Sequence, residues 1–428
     1  MRRLIVIASA AAVLTASSVL AQRKPAPKTA RPASSQTVTG PKARYAMDVG
    51  TTTGIGGIGG IGGMGGMAGG GGRPNIGEMM AGTGGRRGGD QHELRLRLGS
   101  TLAATGAAQG DHYFLPQAAM GASVPLLAPQ RTGGREDVPE SFERPKGRLL
   151  IFWGCGAHAR PGQPVVIDFA KLAAGQMPPD LFSARVPVDR GPTLANSRGY
   201  AEWPNPRSGR QPQGGSLLGD HRVQSTFAPS INFNLQQDYL QGLHVRSGGG
   251  PDGAVQLSWN GVPMATGYYA WMMGAKDAGR RGNTDTGDIV WWSSSTSREF
   301  GGALWDWISP TIAQRLVADG TLLAPSQTNC VVPAEVKQAA GEMMFGTLIG
   351  YGPESTFVYP ERPATGPWNQ EWSARVRFRT SATFFPGMPE MDDESGGERS
   401  NGDRSSSERP RKRCKPSLLG AVTGLGGC

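Results

Sequence analysis

Between Trp372 and Arg379 two kinds of side chain alternate without a break: Trp372, Ala374, Val376 and Phe378 against Ser373, Arg375, Arg377 and Arg379. A period of two belongs to an extended strand whose successive side chains point to opposite sheet faces, so this segment must have one buried and one polar face. Leu94, Leu96 and Leu98 alternate with Arg95 and Arg97 in the same way. The unbroken runs Leu149-Leu150-Ile151-Phe152-Trp153 and Val165-Val166-Ile167 read as buried strands. The expected fold class is therefore mainly β, with one or two β-sandwich-like domains, a few short helices and disordered tails.

Helical signals are few. Ser309 and Pro310 form a cap and first-turn pair, Ile312, Leu316 and Val317 follow at helical spacing, and Gly320 supplies a stop. A second helix is expected from near Pro333 through Glu335, Val336, Ala339 and Ala340 toward Met344.

The ends differ in composition from the middle. Arg2 and Arg3, the apolar and Ala-rich stretch Leu4 to Leu20, and the small residue Ala21 make up a secretory signal with cleavage before Gln22, so residues 1–21 are assigned to a signal peptide. Ser9, Thr15, Ser17 and Ser18 interrupt the stretch, which argues against a membrane anchor. Residues 22–90 are Pro/Ala- and then Gly-rich, with too few apolar side chains to offset the entropy of ordering, and are expected to be a disordered linker. Within it Gly54-Ile55-Gly56-Gly57-Ile58-Gly59 spells the dinucleotide fingerprint, but neither the preceding strand nor the following helix is legible and low complexity accounts for it. Residues 390–428, with Asp392, Asp393 and Glu394 ahead of the basic run Arg409 to Lys415, read as a disordered charged tail. Between these ends the expected divisions are a β-rich domain at 91–190, a linker or long loop at 191–224 where Pro, Gly, Ser and Arg concentrate, and a β-sandwich-like domain with two helices at 225–389.

The net charge is +10, or +8 once Arg2 and Arg3 are removed, which favours acidic partners. For an exported chain with no transmembrane span after the signal, these are anionic envelope polymers or another envelope protein rather than nucleic acid, and the expected location is periplasmic or extracellular. Four cysteines, Cys155, Cys330, Cys414 and Cys428, allow three connectivities, of which Cys155 with Cys330 and Cys414 with Cys428 are expected because each pair lies in sequence of like character.

Val255-Gln256-Leu257-Ser258-Trp259, then Val262-Pro263, then Ala265-Thr266-Gly267-Tyr268-Tyr269-Ala270-Trp271 resembles two successive strands of a fibronectin type III, immunoglobulin-like sandwich. The resemblance implies a core tryptophan, a turn, a tyrosine opening the facing strand, and a role in recognition or spacing. It departs from the family after Trp271, where Asp288-Ile289-Val290-Trp291-Trp292 and then helical sequence follow.

No catalytic motif emerges. Cys155-Gly156-Ala157-His158 has the spacing of a metal half-site but lacks a second pair, and the alternative is a turn with a disulfide-bonded cysteine. Asp285-Thr286-Gly287 resembles the Asp-Thr-Gly of aspartic proteases, yet Gly282-Asn283-Thr284 precedes it where an apolar strand belongs, and it reads as a hairpin loop. No metal or cofactor is implied. Trp291 and Trp292 must point to opposite faces, whereas Trp305 and Trp307 would share one on a strand. Core packing is the ordinary role for all four, but Trp291 and Trp305, if exposed, are candidates for stacking on sugars or anchoring an interface. Arg375, Arg377 and Arg379 lie about 6 to 7 Å apart along one strand face. Such a row needs negative charge opposite it, either a bound anionic polymer or carboxylates of a neighbouring strand. The expected function is an exported, envelope-associated binding or structural module, with a periplasmic hydrolase of glycan or peptide as the alternative.

Overall fold

The computed structural model describes residues 36–54, 90–129 and 147–386, with breaks at 175, 177–182, 188, 190, 206–207, 209–211, 213, 276–287, 301 and 342–343. The signal segment, the Gly-rich stretch with its fingerprint apart from Gly54, Asp285-Thr286-Gly287, Cys414, Cys428 and the charged tail lie outside the described residues. In chain order the strands are β1 (Val38–Thr39), β2 (Ala43–Gly54), β3 (Gln91–Ser100), β4 (Gln109–Tyr113), β5 (Ser123–Leu127), β6 (Arg148–Trp153), β7 (Val165–Asp168), β8 (Gly199–Trp203) and β9 (Gly219–Ser225). They continue as β10 (Ile231–Leu235), β11 (Val245–Gly249), β12 (Val255–Trp259), β13 (Gly267–Ala275), β14 (Ile289–Ser293), β15 (Asn329–Val332), β16 (Met344–Tyr359), β17 (Trp368–Asn369) and β18 (Trp372–Phe384). The helices are α1 (Phe169–Ala173), α2 (Pro310–Ala318) and α3 (Ala334–Ala340). The protein is mainly β.

Thirteen of these strands form one sheet in the order β10-β9-β4-β5-β8-β3-β2-β18-β16-β13-β14-β6-β7. Its middle is built from the longest strands, and β2 lies parallel to β18 over twelve register pairs from Ala43 with Trp372 to Gly54 with Thr383. This corrects the linker expected at 22–90: Tyr45, Met47, Val49, Thr51 and Thr53 alternate on a buried face of β2, a signal masked by the low-complexity sequence around it. The sheet also runs through the expected domain boundary. β8 and β9, both inside or overlapping 191–224, pair with β3 and β4, and β14 from the second interval pairs in parallel with β6 from the first. Strands this short carry too few apolar residues to stand out against the Pro, Gly and Ser around them.

Each face of the sheet buries a separate core. On the first, Tyr45, Met47 and Val49 of β2, Leu94, Leu96 and Leu98 of β3, and Val376 and Phe378 of β18 pack beneath a three-stranded sheet of order β11-β12-β15, whose Leu257, Trp259 and Val332 face them. The β10 end of the large sheet curls over the same core, bringing Phe233 to 5.0 Å from Phe357 of β16 and 6.2 Å from Tyr45, ring centre to ring centre. On the second face Trp271, Trp291, Ile151 and Tyr351 are covered by Leu304, Ile308 and the α2 residues Ala313 and Leu316. Pro310 opens α2 as expected, but Ser309 makes no side-chain cap, and Ala313 and Leu316 are its buried residues where Ile312 is only half-buried. Pro333 precedes α3, which ends at Ala340.

The segment 255–271 forms two strands of different sheets. β12 lies in the small sheet and β13 in the large one, and Trp259 meets Tyr268 edge-on at 5.8 Å, whose hydroxyl accepts the Val262 N–H at 2.9 Å. β13 runs between β14 and β16 in the sheet of thirteen strands.

Candidate functional site

The arginine row lies on the second face of β18, and carboxylates stand opposite it. Asp48 of β2, in register with Arg377, accepts Arg377 Nε at 2.7 Å and Arg97 Nη2 at 2.7 Å. Asp189 accepts from Arg377 at 3.1 Å, from Arg97 at 3.3 Å and from Arg375. Three guanidiniums thus share two carboxylates. Asp48 and Arg377 are 1% and 3% exposed, so the centre of this network is dry. Burial alone would raise the Asp189 carboxyl, but Arg377, Arg375 and Arg97 outweigh it and hold the group well below the usual carboxylate range. Burial likewise disfavours the charged Arg377, and Asp48 and Asp189 more than restore it.

Arg379 forms a second cell. Its register partner on β2 is Gly50, whose partner on β3 is Glu93, and Arg379 Nη2 reaches across the glycine to Glu93 at 3.1 Å. A Cβ at Gly50 would meet the Glu93 side chain at 3.2 Å. The Arg379 guanidinium carbon lies 3.6 Å from the centre of the Trp307 ring, with that of Arg95 at 5.9 Å, and Trp307 Nε1 donates to the Val49 carbonyl at 3.0 Å. Arg377 and Arg379 also donate to the carbonyls of Trp307 and Trp305. The row therefore ties the 305–307 segment to the sheet, and of the two occupants expected opposite it, it meets carboxylates: Asp48 of β2, Glu93 of β3 and Asp189.

Trp291 is 1% exposed and stacks on Trp271 at 4.9 Å and 11°. It belongs to the second core and Trp292 to the first, so neither presents a ring to solvent. Trp305, in a short helical turn at Gly302–Trp305, is half-buried against Trp271 and Trp291 at 5.6 and 5.5 Å. Trp307 is buried under the arginines. Trp291 thus has the core role, packed by Trp271, Phe300 and Trp305, and does not serve as a ligand-stacking ring.

Cys155 and Cys330 form a disulfide with Cα atoms 5.3 Å apart, joining the end of β6 to β15 and so the large sheet to the small one. Cys155 is thereby removed from the metal half-site. His158 lies exposed between Asp252 at 3.3 Å and Glu335 at 3.2 Å. Among the described residues no group of three or more His, Cys, Asp or Glu could hold a metal ion. Nor is any helix among them long and apolar enough to cross a membrane.

A site that sequence reasoning passed over lies where β16 ends, beside β17 and the start of β18. Tyr359 is 55% exposed and lies nearly parallel to Trp372, its register partner, at 5.8 Å and 16°. Trp368 is half-buried on β17, fixed by β1 alongside and by its Nε1 donating to the Pro360 carbonyl at 2.9 Å. Arg362 lies over the Trp368 ring at 5.5 Å and donates to Gln36 at 2.7 Å. Beside Tyr359, whose carbonyl accepts the Glu371 N–H at 2.8 Å, Lys42 and Glu371 pair at 2.7 Å in solvent. The only sequence signal was three aromatic residues around a Pro- and Gly-rich connection. No protein-family model, curated protein or solved structure matches this chain.

Proposed function

We propose that the protein is an exported binding module that holds a cell-envelope glycan on the aromatic end formed by Tyr359 and Trp368. The observation that carries this reading is Tyr359, a large ring left mostly in solvent yet braced from behind by Trp372. A rigid, amphipathic ring gives up little conformational entropy on binding and offers an apolar face to the C–H side of a sugar. Arg362, Gln36, Lys42 and Glu371 supply polar groups at its rim for hydroxyls and for acidic substituents. The signal-like start and the disulfide are both in keeping with an oxidising location outside the cytoplasm.

Two measurements test it. Mass spectrometry of the cell fractions should find a chain beginning near Gln22 in the periplasm or medium, and an intact start in the cytosol would reject export. Purified mature protein should be retained on envelope polysaccharide, and Tyr359→Ala should weaken retention about tenfold, the loss expected of one aromatic contact worth about 1 kcal/mol or a little more. Unchanged retention with an intact circular dichroism spectrum would reject the site. Turnover of the polysaccharide would move the reading to the hydrolase.

A further inference from the structure

On the opposite face from the arginines, two histidines and a tyrosine form one hydrogen-bonded chain inside the first core. The Tyr45 hydroxyl of β2 meets Nδ1 of His112 on β4. His112 Nε2 lies 2.8 Å from Nδ1 of His221 on β9, and His221 Nε2 lies 2.6 Å from the carbonyl oxygen of Leu217. All three side chains are buried. Phe114 stacks on His112 at 4.2 Å and Phe233 on His221 at 5.0 Å, so the walls around the chain are apolar.

The last bond sets the direction of every other. A carbonyl only accepts, so His221 Nε2 carries the proton and His221 Nδ1, in a neutral ring, must accept. His112 Nε2 therefore donates, His112 Nδ1 accepts, and the Tyr45 hydroxyl donates to it. With both rings neutral, each ring proton and each ring lone pair is used once. A further proton has no place. On His221 Nδ1 it would point at the His112 N–H, and on His112 Nδ1 at the Tyr45 O–H. Turning the tyrosine away would leave its own proton without an acceptor among phenylalanines.

The charged neighbours do not change this count. Asp220 of β9 is bonded by Asn234 of β10 at 2.7 Å, Asp238 accepts the Leu217 N–H at 3.0 Å, and Arg222 lies over the Tyr113 ring at 4.5 Å. Asp111 of β4 is in reach of Ser123, and Asp48 of β2 is engaged by the arginines on the other sheet face. Burial pushes both imidazoles below the ordinary histidine range, His221 adding to the effect on His112, while the Leu217 carbonyl and Asp220 offset part of it for His221. The same burial keeps the Tyr45 hydroxyl protonated.

The chain crosses the thinnest seam of the large sheet. In the strand ladder β10, β9, β4 and β5 meet the remainder at a single register pair, Leu127 of β5 with Glu202 of β8, and are otherwise held by side-chain contacts such as Phe233 on Phe357. Tyr45 belongs to the main body and His112 and His221 to this four-stranded lobe. We infer that the Tyr45–His112–His221 chain is an acid-sensitive latch that closes the lobe onto β2 while both rings are neutral and lets it open once either takes a proton. This inference is independent of the glycan reading, since no latch residue lies at the aromatic end.

The sign follows from linkage. Below the ordinary histidine pKa of about 6.5 an opened lobe binds protons that the closed one refuses. The closed state therefore loses ground as pH falls, by up to about tenfold in the open-to-closed ratio per pH unit for each histidine. Above that pH the latch is indifferent to protons.

Hydrogen exchange of the full chain at pH 7.5 and 5.5, corrected for intrinsic exchange rates, tests the latch. Peptides of β4, β9 and β10 should lose protection about tenfold or more at the lower pH, with those of β13 and β14 little changed. In Tyr45→Phe, where His112 Nδ1 is freed to take a proton with the lobe still closed, the loss of protection between pH 7.5 and 5.5 should be smaller than in the native chain. In His112→Gln/His221→Gln the selective loss should vanish. No loss, an equal loss in β13 and β14, or a selective loss that survives in the double variant would overturn the latch. Should that variant not fold, a loss between the two pH values in Tyr45→Phe equal to or greater than that of the native chain would do so.

Discussion

Replacing Asp48 by asparagine keeps the shape of the side chain and removes one charge from the driest part of the arginine network. Asp48 takes 2.7 Å bonds from Arg377 and Arg97, and its side chain and that of Arg377 are 2% and 4% exposed. One oxygen of the amide can still accept, but its N–H₂ must then face a guanidinium, donor against donor. Arg377 keeps the Trp307 carbonyl at 2.7 Å and Asp189 at 3.1 Å, while Asp189 must now serve Arg97, Arg375 and Arg377 unaided. Removing one partner of a buried ion pair leaves an uncompensated charge and costs about 3–5 kcal/mol, whereas an exposed pair is worth about 0–1 kcal/mol. With a urea m-value of about 3 kcal/mol/M, the Asp48→Asn midpoint should fall by about 1–1.7 M. Lys42→Ala, which breaks the solvent-exposed pair with Glu371, serves as the control and should leave the midpoint where it was. Equilibrium unfolding followed by tryptophan fluorescence reads both. An Asp48→Asn loss under about 1 kcal/mol would mean that water reaches the network and would refute the reasoning.

Gly50→Val should be destabilising, because its side chain would enter the gap through which Arg379 reaches Glu93 and against which Trp307 packs; an unchanged melting temperature would contradict this. Cys155→Ser/Cys330→Ser opens a loop of 175 residues in sequence separation and should cost about 2–5 kcal/mol by denaturant titration, against no effect if the bond were incidental. Stability should also fall in a second acid step: the folded Asp189 pKa is depressed, so its contribution is present above the unfolded value near 3.8 and is lost as pH drops below it, and Asp189→Asn should flatten that limb of the acid titration. Trp292→Ala and Trp271→Ala should each cost about 3–5 kcal/mol, one in each core, and a pair of values near zero would show that the two faces are not packed as described.

The mainly β class was legible in the sequence because alternation is a property of a single strand. The period from Trp372 to Arg379 correctly divides Val376 and Phe378 from Arg375, Arg377 and Arg379, and adjacency alone sends Trp291 and Trp292 to opposite faces. The pairing of Cys155 with Cys330 was also anticipated from the character of the flanking sequence. What stands opposite a strand is another matter. Asp48 meets Arg377 because β2 and β18 lie side by side in parallel, and these residues are 329 apart in the chain. Without that pairing Ala43–Gly54 reads as one more piece of a glycine-rich arm, and the segment 191–224 as a spacer. The same holds for the histidine latch and for the aromatic end, each gathered from strands distant in the chain. Side-chain direction along a strand is set by local backbone geometry, which a sequence displays residue by residue. Strand order and register are set by the burial of whole faces against one another, so the partners of the arginines, and with them the choice between a ligand row and an internal brace, were decided only in the folded sheet.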